Sequence, residues 1–442
     1  MNYLRKISIC LFSLACLAAA AQEEKPIIDI KTNSYAHNGE SNVVTVLISG
    51  IEADYIDVDC GFGVQEYTLE ARGFNEESGS LTGTYISCNV SKEGYIKIYG
   101  NAANIDMLNI DGCYVTDIEM SGLVNLEVFN CEHNELNALD LSNNKKIVML
   151  YMDDNPFTVS APIIGEKPDL VLLEMGKTDK VDPDFNLSNY PKMVSFSAYA
   201  NSGLTSVDPT GCPELQRLSI DVTPVSSIDV SKNEKLTILN VSDTKITSLD
   251  LKNNTSLMQL FCSHSASGFS DYKIKELDLS NNVLLTYLFA SDNEISSIDV
   301  SGLTYLQDLV LRNNRLSSID VSQNTNLNRL FLNGNYFDFT TLPLPGEWNE
   351  YEYDQHPLSV AKSQKVGTTI DLSDKIIREG TNTLAALFKT SESNPGIYTE
   401  LAAGTYYTYE NGKITFLKEV SDSVYLAFYN DAFPTRNFLS NR

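Results

Sequence analysis

Four histidines, His37, His133, His264 and His356, are the side chains of this 442-residue chain best suited to proton transfer near neutral pH. They are far apart in sequence, and no Ser-His-Asp set can be assembled around them from spacing. No HExxH, GxSxG, P-loop or dinucleotide fingerprint occurs. The eight cysteines are scattered, with no CxxC pair to suggest zinc. No catalytic residue, cofactor or metal ligand is therefore assigned, and the protein is expected not to be an enzyme.

The ionisable groups that do recur are aspartates. Asp140, Asp208, Asp229, Asp250, Asp278, Asp299 and Asp320 each sit in an "LDLS"-like segment. If these segments stack, like charges about 5 Å apart cost about 1 kcal/mol per pair in water. Two chemistries offset that. One is hydrogen bonding from Ser142, Ser231, Ser280, Ser301 and Ser322 or from backbone amides. The other is bound cations such as Ca²⁺.

What must position these groups is a repeat. "SSIDVS" occurs at 296–301 and again at 317–322. Units such as "LTYLFASDNEISSIDVSGLTY" from Leu285 and "LQDLVLRNNRLSSIDVSQNTN" from Leu306 give a 21-residue consensus, LxxLxLxxNxLxxLDLSxNxx. About eleven coils follow one another between residues 105 and 341. In each, an LxL pair such as Leu309 and Leu311 sends alternate side chains inward from a short strand. Leu316, Ile319 and Val321 close the opposite side. Asn134, Asn293, Asn314 and Asn335 recur at a turn, where a buried amide satisfies backbone groups of its own coil and of the adjacent one. Cys113 takes that place in the first coil, while Cys131 and Cys262 fill inward LxL positions as small hydrophobes. One coil cannot bury its apolar face alone, so the array depends on stacking and on covered ends.

This consensus resembles leucine-rich repeat proteins, specifically the short 21-residue class of exported bacterial proteins, and is similar to internalin repeats. The resemblance covers about half the chain. It implies parallel strands on a concave face and a non-catalytic scaffold that binds through that face. Coils from Ile147 and Leu170 depart from it at 23 residues, and the coil from Leu257 runs to 28 with the insert "SHSASGFSDYK".

The flanks carry other signals. Residues 1–21 read as a secretory signal peptide: Arg5 and Lys6, an apolar run, then Ala19 and Ala21 before Gln22. A lipoprotein signal at Cys16 is the weaker alternative. Losing Arg5 and Lys6 takes the formal charge from −26 to −28. Such a surface repels nucleic acid and anionic membranes. Residues 22–104 alternate like strands between Gly and Asn turns, which predicts a β-sandwich cap similar to immunoglobulin-like domains. Within it, alternation turns both Cys60 and Cys88 inward, either as a disulfide or as two buried thiols. Residues 342–442 leave the period and read as a second immunoglobulin-like β-sandwich, with Asn411-Gly412 a hairpin signal.

The predicted fold class is thus mainly β, a leucine-rich repeat solenoid capped at both ends. The residues between the inward leucines face out. They are mostly polar from Asn109 to Asn240, then run Phe261, Phe289, Val310, Phe331. Tyr287, Arg312 and Arg329 are neighbours, and the insert brings His264, Phe269 and Tyr272 towards the same edge. Such a patch is costly to leave wet. It is read as the contact surface for a protein partner, in adhesion or a cell-surface interaction. A glycan stacked on the same rings is the alternative, and a passive spacer the third reading. Exported, secreted or surface-held (periplasm included) is the expected location. Nothing in the sequence sets the oligomeric state.

Overall fold

The computed structural model describes residues 25–34, 43–75, 80–178, 180–265, 269, 271–338, 340–344, 346–353, 358–361, 365–373, 383–390, 399–420 and 423–430. The signal peptide, the Cys16 alternative, His37 and His356 lie outside them. The chain is mainly β, with short 3-10 turns at Ala102–Asn104 and Leu187–Asn189. It has about eleven β-solenoid coils, divided between two compact units, Met1–Val181 and Asp182–Arg442.

Four coils belong to the first unit. Their strands Ile105–Asn109, Val128–Asn130, Met149–Tyr151 and Leu172–Glu174 pair in parallel, with Leu108, Phe129, Leu150 and Leu173 in one register line. All four are fully buried, as the inward half of a period-2 pattern requires. The strand Val43–Gly50 runs antiparallel along Ile105–Asn109 and pairs on its other side with Thr84–Asn89. The open edge of the first rung is thereby covered, which removes a row of unpaired amides. A second sheet has the order Val115–Glu119, Ile28–Thr32, Tyr95–Tyr99, Tyr55–Asp59, Val64–Thr68. Cys60, just beyond Tyr55–Asp59, is bonded to Cys88 of Thr84–Asn89, so a disulfide ties the two sheets together.

In the second unit, seven rungs run from Ser195–Ser197 to Arg329–Phe331. Leu218, Leu239, Leu260, Leu288, Leu309 and Leu330 lie in parallel register, each directly opposite the next. Past residue 341 the ladder gains one more rung. Glu350–Glu352 pairs in parallel with Arg329–Phe331 and sets Tyr351 against Leu330. The leucine line thus ends in an aromatic cluster: Trp348 meets Tyr351 edge-on at 5.0 Å, and Tyr353 lies 4.9 Å from Tyr351. Farther on, Tyr407–Glu410 and Lys413–Phe416 pair antiparallel around Asn411 and Gly412, both in the left-handed region as a two-residue hairpin demands.

Two ladders of buried side chains join the coils. In the first, the carboxamide oxygen of Asn314 accepts from Ile295 N–H at 3.1 Å, while its amide donates to the carbonyls of Ala290 (2.8 Å) and Leu311 (3.2 Å). Asn134, Asn155, Asn293 and Asn335 repeat this pattern. Thr223 and Thr244 take the place in two coils, and Cys113 in the first, its thiol directed at Thr45 O. The residue before each is left-handed: Gly112, His133, Asp154, Val222, Asp243, Asp292, Asn313 and Gly334 among them. Asn293 holds Cys262 O and Ile274 N–H, twelve residues apart across the insert, as Asn314 holds Ala290 O and Ile295 N–H, five apart.

The second ladder works by donation. Asn144, Asn233, Asn254, Asn282 and Asn324 each give N–H groups to two carbonyls of the preceding coil, and each leaves its own buried carboxamide oxygen without a partner. The substitutes along this line follow from that. Lys167, buried among the coils, donates to Leu141 O and Ile164 O, and burial pulls its ammonium down to about 8. Cys212 directs its thiol at Leu187 O, 3.1 Å away. The accepting carbonyls already receive a backbone N–H within their own turn, for example Leu251 O from Asn254 N. Their second lone pair is what the side chain fills, which is why Leu123 and Leu303 are tolerated at equivalent positions.

The two ladders should therefore differ in cost. Asn314→Ala strands the buried Ile295 N–H and takes one of two side-chain donors from the carbonyls of Ala290 and Leu311, which keep Asn293 and Asn335, so it is expected to lower unfolding free energy by about 1–3 kcal/mol, whereas Asn254→Leu should cost less than about 1 kcal/mol. Urea titration of both variants decides it; equal losses would refute the distinction. Val222, a β-branched residue at φ 56°, is misplaced in the left-handed region. Val222→Asn should gain about 0.5–1 kcal/mol in the same assay.

Candidate binding surface

Because inward and outward side chains alternate along each rung, one sheet face is built from the first and third residue of every strand. In the second unit the third residues run Ser197, Ser219, Asn240, Phe261, Phe289, Val310, Phe331, Glu352, as the pairing registers align them. Phe261 and Phe289 stack with ring centroids 5.1 Å apart, both half-buried. The first residues add Tyr287, whose hydroxyl donates to Gln307 Oε1 at 3.1 Å, and Arg329, which is ion-paired to the buried Asp308.

Other residues expected at this surface hold structural contacts. Phe331 is buried, with the Arg312 guanidinium 4.3 Å above its ring. Arg312 also pairs with Glu352 of the added rung at 3.1 Å. His264 is buried, and burial lowers its pKa, with Lys273 adding to the shift. Phe269 and Tyr272 meet edge-on at 6.5 Å and cover Lys245 of the preceding coil, its ammonium 5.3 and 5.7 Å from their centroids. The accessible rings next to one another on the sheet face are thus Phe261, Tyr287 and Phe289.

The aspartate stripe is explained by hydrogen bonds. Asp140, Asp229, Asp278, Asp299 and Asp320 each accept from the N–H of the serine two residues on, at 2.9–3.0 Å. Asp208 does the same with Thr210, and Asp250 with Lys252. Hydrogen bonds from those residues hold all seven carboxyls below the ordinary aspartate range.

A different acid column escaped the sequence reading. Asp111, Glu132 and Asp153 fall at one position of three successive coils, spaced 21 residues apart, and that spacing is the signal that could have found them. Glu132, Asp153 and Glu174 bring carboxylate oxygens within 4.8 Å of one another. Burial first, then the charges of Asp153 and Glu174, push Glu132 up to about 7. The free cysteines in the coils are inert by the same cause: burial drives Cys113 and Cys262 to about 12 and Cys212 to about 11.

Parallel rungs of about 21 residues, inward LxL pairs and an asparagine ladder define a leucine-rich repeat solenoid. No family model matches the chain, and neither does any curated protein. Among solved structures it is similar to an internalin, inlF of Listeria monocytogenes, at 26% identity and TM-score 0.42 over 53% of this chain and 75% of that one. It is also similar to the functional domain of InlJ from the same organism, at 20% identity and TM-score 0.43 over 72% and 85%. A third is YopM from Yersinia enterocolitica, at 20% and 0.39 over 52% and 51%. No helix among the described residues is long and apolar enough to cross a membrane.

A carboxyl whose folded pKa is raised weakens the fold above its unfolded value. Between its usual 4.5 and about 7, folded Glu132 keeps a proton that the unfolded chain has released. Stability should fall as pH rises through that window. Glu132→Gln should accordingly raise the melting temperature near pH 8 and change it little near pH 4. An increase of the same size at both would show that the charge is not the cause.

Proposed function

We propose that the protein is an exported, non-catalytic binding scaffold that recognises a protein partner, in adhesion or another cell-surface interaction, through the outward sheet face of its second unit. In this reading the N-terminal strands and residues 342–442 are β-sandwich caps that keep the solenoid ends covered. The observation that carries it is the Phe261–Phe289 stack, half-exposed beside Tyr287 on a rigid ladder. Aromatic rings held on strands lose little entropy on contact and dominate interface energies. Phe331, Arg312 and Arg329 brace the neighbouring rungs, while Phe269 and Tyr272 flank from the insert. Glycan binding is the second reading. It is favoured by Asn240 and Gln259, which stand beside Phe261 as amide groups next to a flat ring.

The test is paired. The double variant Phe261→Ala/Phe289→Ala should lose about thirtyfold or more in affinity for a captured protein partner, the scale of one hot-spot residue, with its urea midpoint retained. A glycan array probed with both forms runs in parallel. Signals there that vanish in the variant would move the reading to glycans, unchanged affinity in both assays would refute this face as the contact, and no ligand in either would leave only a spacer.

A further inference from the structure

Beside the acid column of the first unit lies a hollow of about 450 Å³, within the range of ligand-sized clefts. Leu47, Leu81, Met149 and Tyr151 line it, and behind them Met107 and Val128 complete a buried apolar cluster with Leu47. Phe74 and Tyr85 stand at its rim with 63% and 62% of their surface exposed. Large rings left this open on a small hollow are unusual unless something covers them.

The polar side of the hollow is formed by Thr45, Ser80, Asn109, Asn130 and Asp111, the one charged residue in its lining, and acids stand next to it. Asn130 lines it, and its amide donates to Glu132 at 3.1 Å. Tyr151 lines it as well; burial first, then the charges of Glu174 and Glu132, raise its phenol. Glu132, Asp153 and Glu174 then converge within 4.8 Å. Three cations in this unit pair with other carboxylates. His133 is bonded to Asp111 at 2.8 Å, Lys177 to Asp154 at 3.8 Å, and Arg72 to Glu127 at 2.6 Å. A guanidinium or ammonium arriving from outside would offset the burial and like-charge repulsion that hold Glu132 up at about 7, through charge-assisted hydrogen bonds.

We propose that this hollow is a docking site for a basic segment of a partner protein, an apolar side chain filling the cavity between Phe74, Tyr85 and Tyr151 while a neighbouring Arg or Lys reaches the Glu132–Asp153–Glu174 carboxylates. Charge complementarity selects this occupant. The hollow alone would take any apolar group, and the acids beside it exclude an acidic one. The site is separate from the aromatic stack of the second unit and does not rest on it.

The probe is a fluorescent peptide, Gly-Ser-Leu-Arg-Leu-Arg-Leu-Ser-Gly, titrated into the full chain and read by polarisation. Three controls replace Arg by citrulline, Arg by Glu, and Leu by Ser. Binding at least about tenfold tighter than every control is expected, since charge and apolar contact both contribute. Glu132→Gln/Glu174→Gln and, separately, Tyr151→Ala should each weaken it about tenfold or more, with thermal unfolding confirming the fold. Phe261→Ala/Phe289→Ala should leave it unchanged, so this site and the proposed function fail independently. Equal binding of the citrulline peptide, no binding, or indifference to both first-unit variants would overturn the proposal. So would 1 mM CaCl₂ raising the melting temperature of the native chain but not of the double Gln variant while the peptide fails to bind, which would make the cluster a cation site.

Discussion

Every coil in this chain leans on donor groups buried between it and its neighbour. Leucine stacking supplies the attraction but no register, because apolar contact is non-directional. Register comes from amides. Asn314 reaches back to Ala290 O and across to Ile295 N–H, so a coil displaced by one residue would lose three buried hydrogen bonds at once. The donor-only line of Asn144, Asn233, Asn254, Asn282 and Asn324 supplements this at the opposite corner. It accepts lysine, thiol or leucine because what it fills is a second lone pair. Placing both lines inside the coil leaves the sheet face free of structural duty.

That freedom is used unevenly. Some outward side chains are spent on bracing, such as Arg312 over Phe331 and Arg329 on Asp308. Others stay accessible to solvent. Phe261 and Phe289 in the second unit and Phe74 and Tyr85 in the first are of this kind, and rings left facing water are the ones whose contribution is realised on contact. The two units also differ in charge at equivalent positions. Asp111, Glu132 and Asp153 in the first correspond to Ser242, Ser263 and Ser291 in the second, so the same scaffold presents an anionic strip in one place and a neutral one in another.

Much of this was legible in the sequence because the repeat reports its own geometry. A 21-residue period with LxL and a turn asparagine fixes which side chains point inward, and Leu309 lies opposite Leu330 as that period requires. The reason the aspartate stripe survives, hydrogen bonds to the residue two on, was likewise open to a local argument. What could not be read was partnership at longer range. Burial of His264 and Phe331 depends on what the neighbouring rung and insert place over them. The extra rung at Glu350–Glu352 has no leucine signature, since Tyr351 fills the leucine position and the aromatics around it close the core. The acid column at Asp111 is periodic as well, but it alternates Asp with Glu over three coils and so stands out less in the sequence than the seven-membered aspartate stripe.

The clamp made by Asn293 has a wider meaning. It fixes Cys262 and Ile274 in the same relation that Asn314 imposes on Ala290 and Ile295, although the intervening stretch is more than twice as long. The rung above therefore does not register how much chain was looped out below it. A graft at that corner would owe the scaffold little beyond loop-closure entropy, which rises only logarithmically with length. A lineage could lengthen, shorten or exchange this stretch from one descendant to the next and acquire a new outline there while every rung kept its place.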